Sequence, residues 1–160
     1  MTILKRLAQV LVAILILAAV VYPFRRDPIG PLAGKRLTGE VASETPADWS
    51  FSDAHMTIAV EVRPDDPHSI TTICFVHEGT LYVPAQGGSE KEWTQMVLAD
   101  PRVRLKIGER IYPARATRIT DESQREAMIA SAAGKYERLA AAQAGENPPE
   151  DVWVFRIDPR

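Results

Sequence analysis

The 160-residue sequence predicts a mainly β domain with two helices, built as a small barrel of six or seven strands behind an N-terminal membrane-spanning helix. Three observations carry this. An apolar run near the N-terminus is long enough to cross a bilayer, short alternating or β-branched runs recur between turn signals, and two stretches carry helix-start signals. A net charge of −2 leaves no basic stripe of the kind that neutralises phosphates along a duplex, which sets nucleic acid aside as a partner. Cys74 is the only cysteine, so the chain forms no internal disulfide.

Residues 7–24 contain one strongly polar side chain, Gln9, between Lys5–Arg6 and Arg25–Arg26. About 18 such residues just span a hydrocarbon core, and the run lacks the polar face of a buried core helix. The alternative is a cleaved signal peptide, but no small-x-small cleavage site follows the run. The sequence therefore predicts a single-pass anchor over residues 1–26, with the bilayer as partner through residues 7–24. The basic residues on its two sides nearly balance, so the side of the membrane is not given. Residues 27–39 hold Pro28, Gly30, Pro31, Gly34 and Gly39, too many breakers for a regular element. They read as a linker; the sharper alternative is a segment packed on the domain through Leu32 and Leu37. Residues 40–160 form the domain.

Within it, residues 57–63 alternate, with Ile58, Val60 and Val62 on the buried face and Glu61 on the other, until Pro64 stops the strand. Residues 69–76 and 80–85 form a hairpin around His77-Glu78-Gly79, and residues 103–107 and 110–119 a second around Gly108-Glu109. Residues 152–157 make a closing strand, and residues 37–43 are a candidate extra one. Ser89 with Glu92 reads as a capping box, so a helix should start after Ser89 and stop near Ala99, ahead of Asp100-Pro101. A second helix should start near Thr120 with Asp121 and Glu122 in its first turn. Its stripe of Met128, Ile129, Ala132, Tyr136, Leu139 and Ala140 reads as core, and Gly145 can end it.

Candidate chemistry is sparse. Gly87-Gly88-Ser89 joins a strand to a helix; it reads as an ordinary glycine turn, or as an anion site with Lys91 adding charge and Glu90 and Glu92 opposing it. His55, His68, His77 and Cys74 lack paired ligand spacing, so no metal site is expected. Trp49, Trp93 and Trp153 read as core or interface.

The order of elements over residues 68–136 carries a resemblance. The hairpin HSITTICFVHEGTLYVPA is followed by GGSEKEW, then LADPRVRLKIGERIYPARATRI and an acidic-capped helix ending in a tyrosine. This resembles the split-barrel flavin-binding families, the pyridoxamine 5′-phosphate oxidase-like proteins and the deazaflavin-dependent nitroreductases. In the latter a glycine pair precedes a lysine and a tryptophan-bearing helix ending in an Ala-x-Pro-x-Val turn. Gly87, Gly88, Lys91, Trp93, Ala99, Pro101 and Val103 stand in that order, although Met96 replaces the asparagine usual three residues after the tryptophan. The resemblance implies a split β-barrel and an FMN or deazaflavin cofactor used for redox chemistry. Gly87, Gly88, Ser89, Lys91 and Trp93 would bind it, with the ring in a cleft between residues 69–76 and 80–85. The alternative is a cofactor-free, membrane-tethered binding or assembly module. A second copy of the chain is an open option as partner; the substrate is not legible.

Overall fold

The computed structural model of the chain describes residues 2–21, 26–136 and 151–160. Among the described residues, eight strands form one sheet: β1 Glu40–Val41, β2 Ile58–Val62, β3 His68–Thr72, β4 Phe75–His77, β5 Thr80–Gln86, β6 Arg102–Ile107, β7 Arg110–Arg118 and β8 Val152–Pro159. Three α-helices accompany them: α1 Thr2–Val21, α2 Glu92–Ala99 and α3 Glu122–Ala133. A 3₁₀ turn spans Ser50–Ala54. The strand order is β3-β2-β6-β7-β8-β5-β4, antiparallel throughout, with β1 parallel on β7. The six or seven strands expected are thus too few by this assignment, while the two helices expected within the domain are α2 and α3.

The barrel interior is built as alternation dictates. Ile58, Val60 and Val62 of β2 meet Val103, Leu105 and Ile107 of β6, Val83 of β5, and Trp153 and Phe155 of β8. Trp93 and Val97 of α2 pack into the same cluster, as does Trp49. A second cluster lies under α3, where Ala132 and Tyr136 cover Phe75, Val152 and Val154, with Met128 and Ile129 packed beside them. Asp121 caps α3 by accepting the Gln124 N–H (2.8 Å). Of the expected stripe, Leu139 and Ala140 lie outside the described residues, as does Gly145.

Helix α1 forms, but it corrects the expectation of an anchor. Arg6 leaves residues 7–21 as its uncharged part, which at 1.5 Å per residue is about 22 Å against about 30 Å of hydrocarbon. Among the described residues no helix is long and apolar enough to cross a membrane. This overturns the membrane-spanning helix, the bilayer partner and the single-pass membrane location; residues 22–24 of the expected span lie outside the described residues.

Residues 26–37 lie against the barrel's outer face. The row Arg102, Arg104 and Lys106 on β6 alternates with the core residues and therefore points outward, and each member holds an acid. Arg102 pairs with Asp100 (2.6 Å) and Asp65 (3.0 Å), Arg104 with Glu61 (2.8 Å) and Lys106 with Asp27 (2.7 Å). Glu61 also accepts the Leu37 N–H at 2.7 Å, and Gly34 exchanges two backbone hydrogen bonds with Ser69. Leu37 is 3% exposed and Leu32 48%, so Leu37 anchors the segment and Leu32 does not.

The expected first hairpin turns at Glu78-Gly79, with His77 opposite Thr80. Both turn residues have positive φ, 49° and 74°, the pattern of a type I′ turn. Gly79→Val is expected to cost about 1–3 kcal/mol through backbone strain. An unchanged melting temperature would show that the turn does not require this conformation.

Candidate functional site

The other arm of that hairpin departs from expectation. Residues 69–76 read as one strand, yet they form two, β3 and β4, on opposite edges of the sheet. On β4, Phe75 faces Tyr82 of β5. Continued in that register, Ile73 would face Pro84 and Thr71 would face Gln86. Pro84 has no N–H to give to such a ladder, and at Ile73-Cys74 the chain leaves to pair β3 with β2. The strands part, and the gap is an open cleft of about 610 Å³, within the usual range for small-molecule sites.

Residues 70–73 line one wall and residues 84–86 the other, while Lys91, Trp93, Tyr136 and the Gly30-Pro31 turn border the cleft. Both walls are strand edges. In an antiparallel ladder, successive residues turn their N–H and C=O groups to alternate sides. Ser69 uses the edge away from β2 to bond Gly34 (2.7 and 3.1 Å), so Thr71 turns its peptide groups to that same edge. On β5, the Gly87 N–H goes to Asp151 at the foot of β8, so Gln86 turns the other way, into the cleft. The result is an apolar slot with peptide donors and acceptors along both margins.

The bend that opens the slot is held by Tyr136. Its hydroxyl donates to the Cys74 carbonyl (2.5 Å) and accepts the Cys74 N–H (3.3 Å), with the Met56 carbonyl 3.0 Å away. These peptide groups have left the ladder and would otherwise be buried without partners. Burial pushes the Tyr136 phenol above its ordinary value, so it stays protonated at neutral pH. The Cys74 thiol is pushed up to about 11 by burial and is unreactive as a nucleophile. Tyr136→Phe is expected to destabilise the domain by about 1–3 kcal/mol, the cost of orphaned buried polar groups. A melting curve superimposable on the parent's would mean that water or another donor replaces the hydroxyl.

The sequence-predicted site residues divide. Lys91 and Trp93 border the cleft; Gly87, Gly88 and Ser89 do not line it. The capping box does not form, because α2 starts at Glu92 with Lys91 as an N-cap that makes no side-chain bond. Ser89 instead gives its N–H (2.8 Å) and hydroxyl (2.6 Å) to the Asp151 carboxylate. The Thr94 hydroxyl ties the start of α2 to the Gly88 carbonyl (2.5 Å). Gly88 passes so close to Trp153 that a Cβ there would collide with the indole. Asp151, Thr71 and Gln86 carried no signal in the sequence, since their roles come from where the strands separate.

No protein-family model matches the chain, and none of the curated proteins does. Solved structures do. A candidate pyridoxamine 5′-phosphate oxidase from Listeria innocua is 22% identical, with TM-score 0.52 over 69% of this chain and 89% of that one. An F420-H2-dependent reductase is 19% identical, with TM-score 0.51 over 65% and 95%. A domain-swapped dimer is 17% identical, with TM-score 0.52 over 65% and 81%. At these identities the likeness establishes the fold, the split barrel of pyridoxamine-phosphate oxidase-like and F420-dependent reductase proteins.

Proposed function

We propose that the chain holds a flavin or deazaflavin in the cleft between β3 and β5 and serves a redox reaction. The observation that carries this reading is the parting of those strands, which leaves an apolar slot with hydrogen-bonding margins. A planar heteroaromatic ring with polar edges has that shape and chemistry. Structural neighbours named as an oxidase and an F420-H2-dependent reductase support the reading. When bound, the group would supply hydride or electron transfer. The chain's part is to bind, orient and exclude water. The apolar walls, with Trp93 and Tyr136, would shield the ring, and peptide groups of Thr71 and Gln86 would fix its orientation. Lys91 would donate to an oxygen of the ligand. A homodimer belongs to the same proposal, supported by the domain-swapped neighbour.

The test is an absorbance and fluorescence titration of the chain with FMN and with a deazaflavin. Binding at tens of micromolar or tighter is expected. Lys91→Ala should weaken it by about 1–3 kcal/mol while barely moving the melting temperature, because an exposed lysine contributes little to stability. If neither ligand binds, the cofactor-free binding module becomes the better reading.

A further inference from the structure

We infer that Asp151 is a specificity-determining residue, filling the anion position of the Gly87–Ser89 loop with the chain's own carboxylate and so selecting a flavin-type ring without a phosphate there. The inference rests on the cofactor reading above. A glycine loop between a strand and a helix can cradle a phosphate because its successive N–H groups point at one place. Here those donors are already spent. The Gly87 and Gly88 N–H groups go to the Asp151 carbonyl (2.7 and 3.2 Å), and the Ser89 N–H and hydroxyl go to its carboxylate (2.8 and 2.6 Å).

The loop is not free to reopen. Gly88 lies against Trp153 on one side, and the Arg118 guanidinium covers the Trp153 ring 3.4 Å from its centroid. The Ser89 hydroxyl and N–H hold the Asp151 carboxyl below the usual carboxylate range, so it is an anion at neutral pH. Lys91 stands between Glu90 and Glu92 in the sequence. A phosphate arriving here would have to displace the Asp151 carboxylate from the Ser89 N–H and hydroxyl, and two anions competing for the same donors disfavour each other's ionised forms.

Riboflavin and FMN differ by that phosphate alone, so their affinity ratio reads the inference directly. The full chain, Asp151→Ala and Asp151→Asn are titrated with both, and each is melted with and without inorganic phosphate. The parent is expected to bind riboflavin at least as tightly as FMN. Asp151→Ala removes the carboxylate and frees the Ser89 N–H and hydroxyl, while the main-chain carbonyl of residue 151 keeps the Gly87 and Gly88 N–H groups. It should shift the ratio toward FMN by about tenfold or more. Asp151→Asn keeps the shape without the charge, and should shift it less but in the same direction. Phosphate should raise the melting temperature of Asp151→Ala and leave the parent's unchanged.

A parent that prefers FMN by about tenfold, or variants that leave the ratio unmoved, would overturn the inference. If Asp151→Ala does not fold, Asp151→Asn decides by the same ratio. If neither flavin binds any of the chains, the cofactor reading fails, and the phosphate melts alone judge Asp151. Stabilisation of the variants but not of the parent supports it as the internal anion, and its absence refutes that role.

Discussion

Glu61→Ala is expected to destabilise the domain by about 3 kcal/mol, measured by denaturant unfolding. Glu61 is 1% exposed and holds Arg104 at 2.8 and 3.1 Å while accepting the Leu37 N–H at 2.7 Å. Breaking a buried ion pair from one side costs about 3–5 kcal/mol, because the remaining charge stays without a partner. Arg104 keeps some contact with solvent, which places the expectation at the low end. The Leu37 N–H loses its acceptor in the same change, so residues 26–37 should exchange amide protons faster. Replacing both members, Glu61→Leu with Arg104→Leu, should recover much of the loss, since it leaves no orphaned charge. A double variant as unstable as Glu61→Ala alone would show that the pair stabilises through something other than its charges.

Trp93→Ala should cost about 3–5 kcal/mol, the range for deleting a large buried aromatic. The indole packs 5.5 Å from the Phe155 ring within the barrel core and also borders the cleft. Its loss leaves a cavity where α2 closes the barrel. Ligand affinity should fall with stability, so the alanine variant alone does not separate the two roles. Trp93→Phe does, because it keeps most of the apolar volume. It should fold with a modest loss and bind the ring more weakly. Trp93→Phe with parental affinity would confine Trp93 to the core.

The parts of the fold readable from sequence are those set by local chemistry. Gly79 with Glu78 marks the first hairpin turn, Gly108 with Glu109 the second, and Asp100-Pro101 the end of α2. Alternation in residues 57–63 gives the core face of β2 correctly. It places Glu61 on the opposite face, but that this face is covered depends on residues 26–37 returning across it. The break at Ile73-Cys74 has no local signal, because β-branched and apolar residues run through it without interruption. Tyr136, 62 residues further on, satisfies the peptide groups that the break leaves behind. Ser89 carries a sound capping signature, yet a carboxylate from the foot of β8 competes for its N–H and hydroxyl. The apolar run of α1 is legible as a helix, while its membrane-spanning reading depended on residues beyond Val21.

Amide hydrogen exchange at Thr71 and Gln86, with and without FMN or a deazaflavin, tests most directly whether the split between β3 and β5 is the ligand site. Both N–H groups turn to the open edges of the cleft, so in the free chain they should exchange much faster than their neighbours Ile70 and Ala85, which bond to β2 and β8. Ligand should slow Thr71 and Gln86 and leave the β6–β7 hairpin unchanged. Protection confined to residues far from the cleft, with Thr71 and Gln86 exchanging as before, would contradict the assignment.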